Sequence, residues 1–210
     1  MTELPALIAA FTTLFVIIDP PGMTPMFLAL TQGMTSAQRR VIAIRSIVIS
    51  FVLMIAFIML GEALLGFIGI SMPAFRIAGG ILLFITALEM LFQKRQARRE
   101  DTAIEGVTEN QDDPSVFPLA MPLIVGPGAI TTLILLAGQA EGVADFAAII
   151  GVVAAVLVSL LAFLLTSSIV ERALGKTGLN IVTRVLGMLL AALATQFVLD
   201  GISQSFGIGV

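Results

Sequence analysis

The chain has 210 residues, of which 58% are hydrophobic and only 12% are charged, and its mean hydropathy is +1.08. A soluble domain contains about 45–50% apolar and about 25% charged residues, so this composition excludes both an ordinary soluble domain and a disordered chain. The net charge of −3 gives no basic footprint for nucleic acid, and the absence of Cys and His excludes disulfides, thiol nucleophiles, Cys-ligated zinc and imidazole chemistry.

Apolar segments long enough to cross a membrane occur six times along the chain. We expect the first to be mature structure and not a signal peptide, because no basic residue precedes Arg39. A helix needs about 20 apolar residues to cross the hydrocarbon core of a bilayer. The predicted spans are 4–30, 41–61, 73–92, 117–138, 145–168 and 180–200.

Residues 93–116 form the one long polar stretch, with four of the 11 basic and six of the 14 acidic residues. We interpret this stretch as a cytoplasmic linker. It separates a first three-helix unit, residues 1–92, from a second, residues 117–210, and the two units together make one all-α membrane domain. Ten of the 11 basic residues fall on one side of the predicted topology, and only Arg76 falls on the other. The positive-inside rule therefore predicts that both termini lie outside. The alternative is that span one or span four is a re-entrant hairpin, which would change the number of crossings and this orientation.

Two motifs recur in the same order in both units. Asp19–Pro25 in span one and Val125–Thr131 in span four each interrupt an apolar run with Pro and Gly. Span three then opens with Arg76–Gly79, and span six opens with Arg184–Gly187. The distances from the shared Pro-Gly glycine to the arginine are 54 and 56 residues. These matches indicate an internal repeat.

Each predicted unit holds three spans, an odd number, so the second copy enters the membrane upside down. Inverted repeats with helices broken at matching positions are typical of secondary transporters. Proline removes a backbone donor and glycine permits close approach, and backbone groups freed in this way must face protein or a wet cavity. The half-helix that starts near Gly128 offers N–H groups to a carboxylate. The alternative is that both breaks are kinks that serve packing alone.

Asp19 is the candidate acid within a span. A buried acid is costly and is by default a functional hypothesis, so Asp19 is expected to pair with a substrate ammonium, bind Na⁺ or carry a proton. The alternative is that Asp19 caps the half-helix starting at Pro20, which does not exclude binding. The motif alignment places Val125 at the matching position, so the site would be asymmetric.

Polar side chains near the breaks are further candidates. Thr24 is a candidate Na⁺ ligand together with Asp19, and Thr131 and Thr132 follow the second break; hydroxyls at all three positions alternatively bond back to helix carbonyls. Arg76 and Arg184 are candidate gates on opposite sides, with snorkelling to the interface as the alternative. The residues predicted to line a substrate or ion site are Asp19, Pro20, Pro21, Gly22, Thr24, Gly126, Pro127, Gly128, Ala129, Ile130, Thr131 and Thr132.

Enzyme motifs are absent from the sequence. There is no Gly-x-x-x-x-Gly-Lys-Ser/Thr loop for ATP, no H-E-x-x-H is feasible without His, and Asp19 has no second acid in mid-span to complete an aspartyl pair. We therefore expect no enzymatic activity and no cofactor beyond a coupling Na⁺ or H⁺. The expected partners are a small solute and membrane lipid, with no nucleic acid, and a homo-oligomeric state is left open.

The two Pro-Gly motifs, Asp19–Pro25 and Pro122–Thr131, resemble those of the MarC family of multi-pass bacterial membrane proteins, as do Thr183–Val185 and Gln196–Ile202 near the end of the chain. The resemblance covers nearly the whole chain. It implies six helices in an inner membrane and kinship with the lysine-exporter-like transporters. It also implies that Asp19–Pro25 and the residues Gly126 to Thr132 form the substrate region.

The resemblance further implies transport of small neutral amino acids, such as glycine and alanine, driven by a cation gradient. The leading hypothesis from the sequence is therefore a secondary transporter that works by alternating access. One alternative is an exporter of amphipathic compounds or drugs. Another is a membrane sensor or scaffold that transports nothing.

Overall fold

The computed structural model describes residues 3–94 and 113–207, and all regular structure in these two ranges is helical. Five helices are long and apolar enough to cross a membrane. A sixth candidate span is a pair of shorter helices that meet at a bend of 62°. The prediction of an all-α, multi-pass membrane architecture is confirmed.

The first half of the described chain contains four helices. Their bounds are Leu4–Ile18 (α1), Pro20–Leu30 (α2), Ser36–Ile68 (α3) and Met72–Leu91 (α4). A capping box starts α3, because the Thr35 hydroxyl accepts from the Gln38 N–H while the Gln38 side chain accepts from the Thr35 N–H. Gly69, with φ 83°, ends α3, and the Ser71 hydroxyl caps α4. These caps extend α3 at both ends beyond the predicted span 41–61.

The second half contains four further helical segments. Their bounds are Ser115–Ile124 (α5), Pro127–Ala137 (α6), Val143–Leu165 (α7) and Ser167–Phe206 (α8). α5 is irregular, with extended backbone at Phe117 and Met121 and two internal prolines. Helix also connects the spans predicted at 145–168 and 180–200, because α8 starts after the single residue Thr166 and kinks at Gly175.

α4 and α8 pack against each other in antiparallel fashion. Gly80 of α4 lies against Ala194 and Val198 of α8, while Gly201 of α8 lies against Pro73 and Ile77 of α4. A Cβ atom at Gly80 would lie 2.8 Å from the Ala194 carbonyl oxygen. Glycine at these contacts lets the two backbones approach closely.

α6 also runs antiparallel to α4. Thr131 packs on Gly79 near the middle of α4, and Gly138, just after α6, packs on Met72 at its start. α3 is joined to α2 and to α4 by turns of a few residues, so α2 and α4 run in the same direction. α2 and α6 therefore point in opposite directions.

The remaining contacts place the two broken helices inside the bundle. α7 packs against α1, α2 and α3; α3 packs against α5 and α6; and α8 packs against α1 and α2. Fully buried side chains from most of these elements form one hydrophobic core, among them Leu14, Phe27, Met54, Leu133 and Leu160. The starts of α2 and α6 lie within it.

Candidate functional site

Asp19 forms the junction between α1 and α2. Its backbone is left-handed, with φ 58° and ψ 64°, and its side chain is only 1% exposed. Short polar residues such as Asp tolerate this conformation better than other residues with a Cβ. The Asp19 carboxylate accepts a hydrogen bond from the Gly22 N–H at 3.1 Å, and the Asp19 carbonyl accepts from the Met23 N–H at 3.0 Å. The capping interaction considered as the alternative role of Asp19 is therefore present.

Every backbone N–H group in the first turn of α2 is hydrogen-bonded. Pro20 and Pro21 carry no N–H, and Gly22 and Met23 donate to Asp19. Gly22 is required here because a Cβ atom would fall 2.7 Å from the Asp19 Cγ. Negative charge on Asp19 thus sits at the positive end of α2, where the helix dipole favours it.

Thr24 and Pro25 alter the carbonyls of this first turn. The Thr24 hydroxyl donates to the Pro20 carbonyl at 3.3 Å, which is the back-bonding alternative predicted for it. Pro25 has no N–H, so the Pro21 carbonyl lacks its usual helical donor. A carbonyl oxygen that lacks its helical donor can coordinate a hard cation such as Na⁺.

The second break is built differently. α5 ends at Ile124, Val125 has φ −93° and ψ 69°, and Gly126 is the N-cap of α6. No side chain caps this helix. The motif alignment paired Asp19 with Val125, but counted from the helix starts the residue equivalent to Asp19 is Gly126. The alignment is off by one residue because α2 starts at the first proline of its motif.

The first turn of α6 contains two open backbone donors. Its first backbone hydrogen bond runs from the Ile130 N–H to the Gly126 carbonyl at 3.0 Å. Pro127 has no N–H, and the N–H groups of Gly128 and Ala129 have no hydrogen-bond partner in the part of the chain that the structure describes. Gly128 is buried and Ala129 is 1% exposed.

Gly128 lies where the start of α6 approaches the junction of α1 and α2. A Cβ atom at Gly128 would lie 3.3 Å from Ile17 of α1 and 3.0 Å from Leu83 of α4. Ile17 is two residues from Asp19, so the uncapped start of α6 lies close to the capped start of α2. Two half-helices of opposite direction therefore present their positive ends to the same interior region.

Among the described residues, four fully buried hydroxyl oxygens have no hydrogen-bond partner, those of Ser50, Ser115, Thr132 and Thr183. Thr132 of α6 and Ser50 of α3 are both fully buried, and neither hydroxyl oxygen has a hydrogen-bond partner among residues 3–94 and 113–207. Thr131, by contrast, turns its methyl group to Gly79. Ser50 was missed by the sequence analysis. Its position one turn after Ser46, on the face of α3 that also carries Met54, was the available signal.

The two predicted gate residues occupy different environments. Arg76 is 8% exposed and shares the stripe of α4 that carries Gly79 and Leu83, whereas Arg184 is exposed. The structure does not bring the two arginines together. In the described ranges, no group of three acidic, His or Cys side chains is placed to hold a metal ion, so Na⁺ binding at Asp19 and Thr24 stays a prediction.

The start of α5 is tied to α3 by an ion pair between Arg45 and Asp113. Both side chains border an open cavity of about 350 Å³ that is otherwise lined mainly by apolar side chains of α3 and Met34. Partial burial acts to raise the pKa of the Asp113 carboxyl, but the hydrogen bond from the Ser115 N–H, together with Arg45, lowers it overall.

Comparison with known proteins gives a consistent set of relatives. The profile of a family described as "MarC family integral membrane protein" matches residues 4–206. A UPF0056 membrane protein of Archaeoglobus fulgidus is 40% identical, covering 93% of this chain and 92% of the relative. A UPF0056 membrane protein of Aquifex aeolicus is 38% identical, with 94% and 92% covered. UPF0056 membrane protein YvbG of Bacillus subtilis is 34% identical, with 95% of each chain covered. No solved structure matches the chain.

Proposed function

The chain belongs to the MarC family of integral membrane proteins, and from that premise we propose that it is a secondary transporter of small neutral amino acids. In this proposal the protein works by alternating access in a bacterial inner membrane, is coupled to Na⁺ or H⁺, and catalyses no chemical reaction.

One observation carries the proposal: among the described residues, the N–H groups of the buried residues Gly128 and Ala129 have no hydrogen-bond partner. An unpaired buried donor costs about 1–3 kcal/mol, and within a membrane neither water nor lipid tails relieve that cost unless a cavity opens. A carboxylate placed at this helix end would accept both hydrogen bonds and meet the positive end of the helix dipole. The α-carboxylate of an amino acid supplies such a group.

Asp19 supplies the complementary charge. Its hydrogen bond from Gly22 uses one oxygen of the carboxylate, and an ionised carboxylate has about four acceptor sites. We assign to it the substrate ammonium or the coupling cation. Ile17 and Leu83 close around Gly128, so only a substrate with a small side chain is accommodated without rearrangement.

The helix contacts support an inverted pair of three-helix units. Exchanging the two units turns the packing of α1 and α2 on α7 into that of α5 and α6 on α3. The same exchange turns the packing of α2 on α8 into that of α6 on α4, and it maps the α4–α8 pair onto itself. The packing of α1 on α8 has no comparable counterpart between α5 and α4 in the described ranges. Two such units related by inversion have two nearly equivalent packings, one open to each side.

The direction of the helices supports six crossings. α4 and α8 are antiparallel, and an even number of crossings must separate two antiparallel spans. α7 supplies one, so the bent pair of α5 and α6 supplies the other. Six crossings with the basic residues inside place both termini outside.

The test is uptake of radiolabelled glycine and alanine into proteoliposomes, with Na⁺ and pH gradients imposed separately. We expect accumulation with one gradient and its loss in Asp19→Asn. Gly128→Ala is expected to abolish uptake, because the added methyl would contact Ile17 and Leu83. Gly151→Ala is the matched control, since a Cβ atom there would meet nothing within 4 Å.

The alternatives make different predictions in the same assay. An exporter of amphipathic compounds would not accumulate either amino acid but would move such a compound in an Asp19-dependent way. A sensor or scaffold would transport nothing, and Asp19→Asn would leave its function intact. Absence of uptake under both gradients, in protein shown to be folded and inserted, would contradict amino-acid transport.

A further inference from the structure

A second polar site lies on the basic side, where the end of α2, the start of α3 and the α7–α8 junction meet. The three elements enclose a cavity of about 100 Å³. Its polar lining consists of Ser36, Arg39 and Arg40 from α3 and Ser167 and Ser168 from α8, and Phe27 contributes to its apolar part. None of the described residues that line this cavity is acidic.

Arg39 is held in place by the end of α2. Its Nε donates to the carbonyl of Thr31, the C-cap of α2, at 3.3 Å, where the negative end of a helix dipole favours a cation. This bond leaves the two terminal nitrogens of the guanidinium available. Neither Arg39 nor the exposed Arg40 forms an ion pair within the described ranges of the chain.

The start of α8 has open backbone donors. The Thr166 hydroxyl donates to the Ala162 carbonyl at 2.6 Å and does not cap the helix. The first backbone bonds run from Ile169 and Val170 to the Thr166 carbonyl. The N–H groups of the two preceding serines are therefore left without a partner in the part of the chain that the structure describes.

The Ser167 side chain is an independent sign of a ligand. Ser167 is 4% exposed and lines the cavity. Its hydroxyl forms no hydrogen bond within residues 3–94 and 113–207, and it does not bond back to the preceding turn as Thr166 does. With no partner among the described residues, this hydroxyl is available to hydrogen-bond a group that enters the cavity.

We propose that this corner binds a phosphate group. Two guanidinium groups, two backbone N–H groups at a helix start and neighbouring hydroxyls form a set of donors that suits a phosphate oxyanion. The phosphate belongs either to an anionic lipid headgroup of the leaflet on the basic side or to a free phosphate compound. The site is separate from the proposed amino-acid site. A negative result for transport would therefore not contradict phosphate binding, and a negative result for phosphate binding would not contradict transport.

The test uses the full chain in neutral detergent, titrated with phosphatidylglycerol, with phosphatidylcholine and with inorganic phosphate, while the thermal unfolding midpoint is recorded. We expect phosphatidylglycerol or inorganic phosphate to raise the midpoint, and Arg40→Gln to weaken that binding about tenfold. Arg172→Gln, an exposed arginine that does not line the cavity, is the matched control. A response to lipid alone identifies a headgroup, and a response to both probes identifies phosphate as the bound group.

Ser168→Asp distinguishes binding from a structural role. A carboxylate in the first turn of α8 would occupy the helix start as a built-in anion. This variant should unfold at a higher temperature without added anion and should lose the response to phosphatidylglycerol and phosphate. Absence of any response in the wild type, or equal responses in the wild type, Arg40→Gln and Ser168→Asp, would overturn the proposal.

Discussion

Both α2 and α6 begin with a proline inside the bundle, but the N–H groups of their first turns differ in whether they are hydrogen-bonded. In α2, two prolines remove two donors, and Asp19 accepts the next two through its side chain and its carbonyl. In α6, one proline removes one donor, and the N–H groups of Gly128 and Ala129 find no acceptor within residues 3–94 and 113–207. One half-helix carries its own anion, and the other is suited to receive one from outside.

The shape of the two breaks differs as well. α1 and α2 continue as one candidate span, Leu4–Leu30, whereas α5 and α6 meet at 62°. The left-handed residue Asp19 is a single interruption, while α5 contains two prolines and two extended residues before Gly126. In the proposed mechanism, the interruption at Asp19, where the first-turn donors are satisfied, supports the site. The bent pair of α5 and α6, with its open donors, is the element that a bound solute would change.

We expect the largest effect on uptake from a variant that places a carboxylate at the N-cap of α6. In Gly126→Asp the new carboxylate would accept from the open N–H groups, as Asp19 does in α2, and we expect proteoliposome uptake to fall at least 100-fold with the fold retained. Gly126→Ala is the control, because it adds the same Cβ atom, 3.0 Å from the Pro122 carbonyl, without a charge. Equal uptake by the two variants would refute the assignment of α6 as the carboxylate site.

Removing the carboxylate from α2 should lower stability as well as abolish transport. Asp19→Ala leaves the Gly22 N–H without its acceptor, and the loss of an N-cap costs about 0.5–2 kcal/mol. Asp19→Asn keeps an acceptor oxygen, so its loss should be smaller, although transport is expected to fail in both. Thermal unfolding of the two variants in the same detergent measures this difference. Equal destabilisation would mean that the charge matters more than the hydrogen bond.

A matched pair of threonines sharpens the comparison further. Thr24→Val removes a hydrogen bond to the Pro20 carbonyl and should cost about 1 kcal/mol. Thr132→Val removes a buried hydroxyl that has no partner among the described residues, so stability should be unchanged or slightly higher. Lower glycine uptake in Thr132→Val, at unchanged stability, would indicate that this hydroxyl contacts the solute.

The sequence could predict the all-helical, multi-pass architecture because apolar spans depend on local composition. Apolar length marks the spans, and Pro and Gly mark the places where a helix cannot continue. The helix ends were less accurate, since hydropathy does not register a capping box such as Thr35 with Gln38. The predicted family is confirmed.

The sequence could not predict features that depend on contacts between residues far apart in the chain. Arg76 and Arg184 occupy equivalent motif positions, but one is buried and the other exposed, because only the first lies on the stripe of α4 that faces α6. The open hydroxyls of Ser50 and Ser167 likewise follow from which helices pack around them. The sequence spacing of these residues contains no such information.

The smallest expected effect is on the stability contributed by the ion pair between Arg45 of α3 and Asp113, which precedes α5. The folded pKa of Asp113 lies below its ordinary value, so the pair stabilises the fold above the unfolded pKa of about 3.9, and that contribution is lost as pH falls through the folded pKa. Because both side chains are partly exposed, salt and solvent keep the effect small. Unfolding midpoints of the wild type and Asp113→Asn should therefore differ slightly and constantly from pH 8 to pH 5, and converge below pH 4. A difference that grew between pH 8 and pH 5 would mean that another group titrates against this pair.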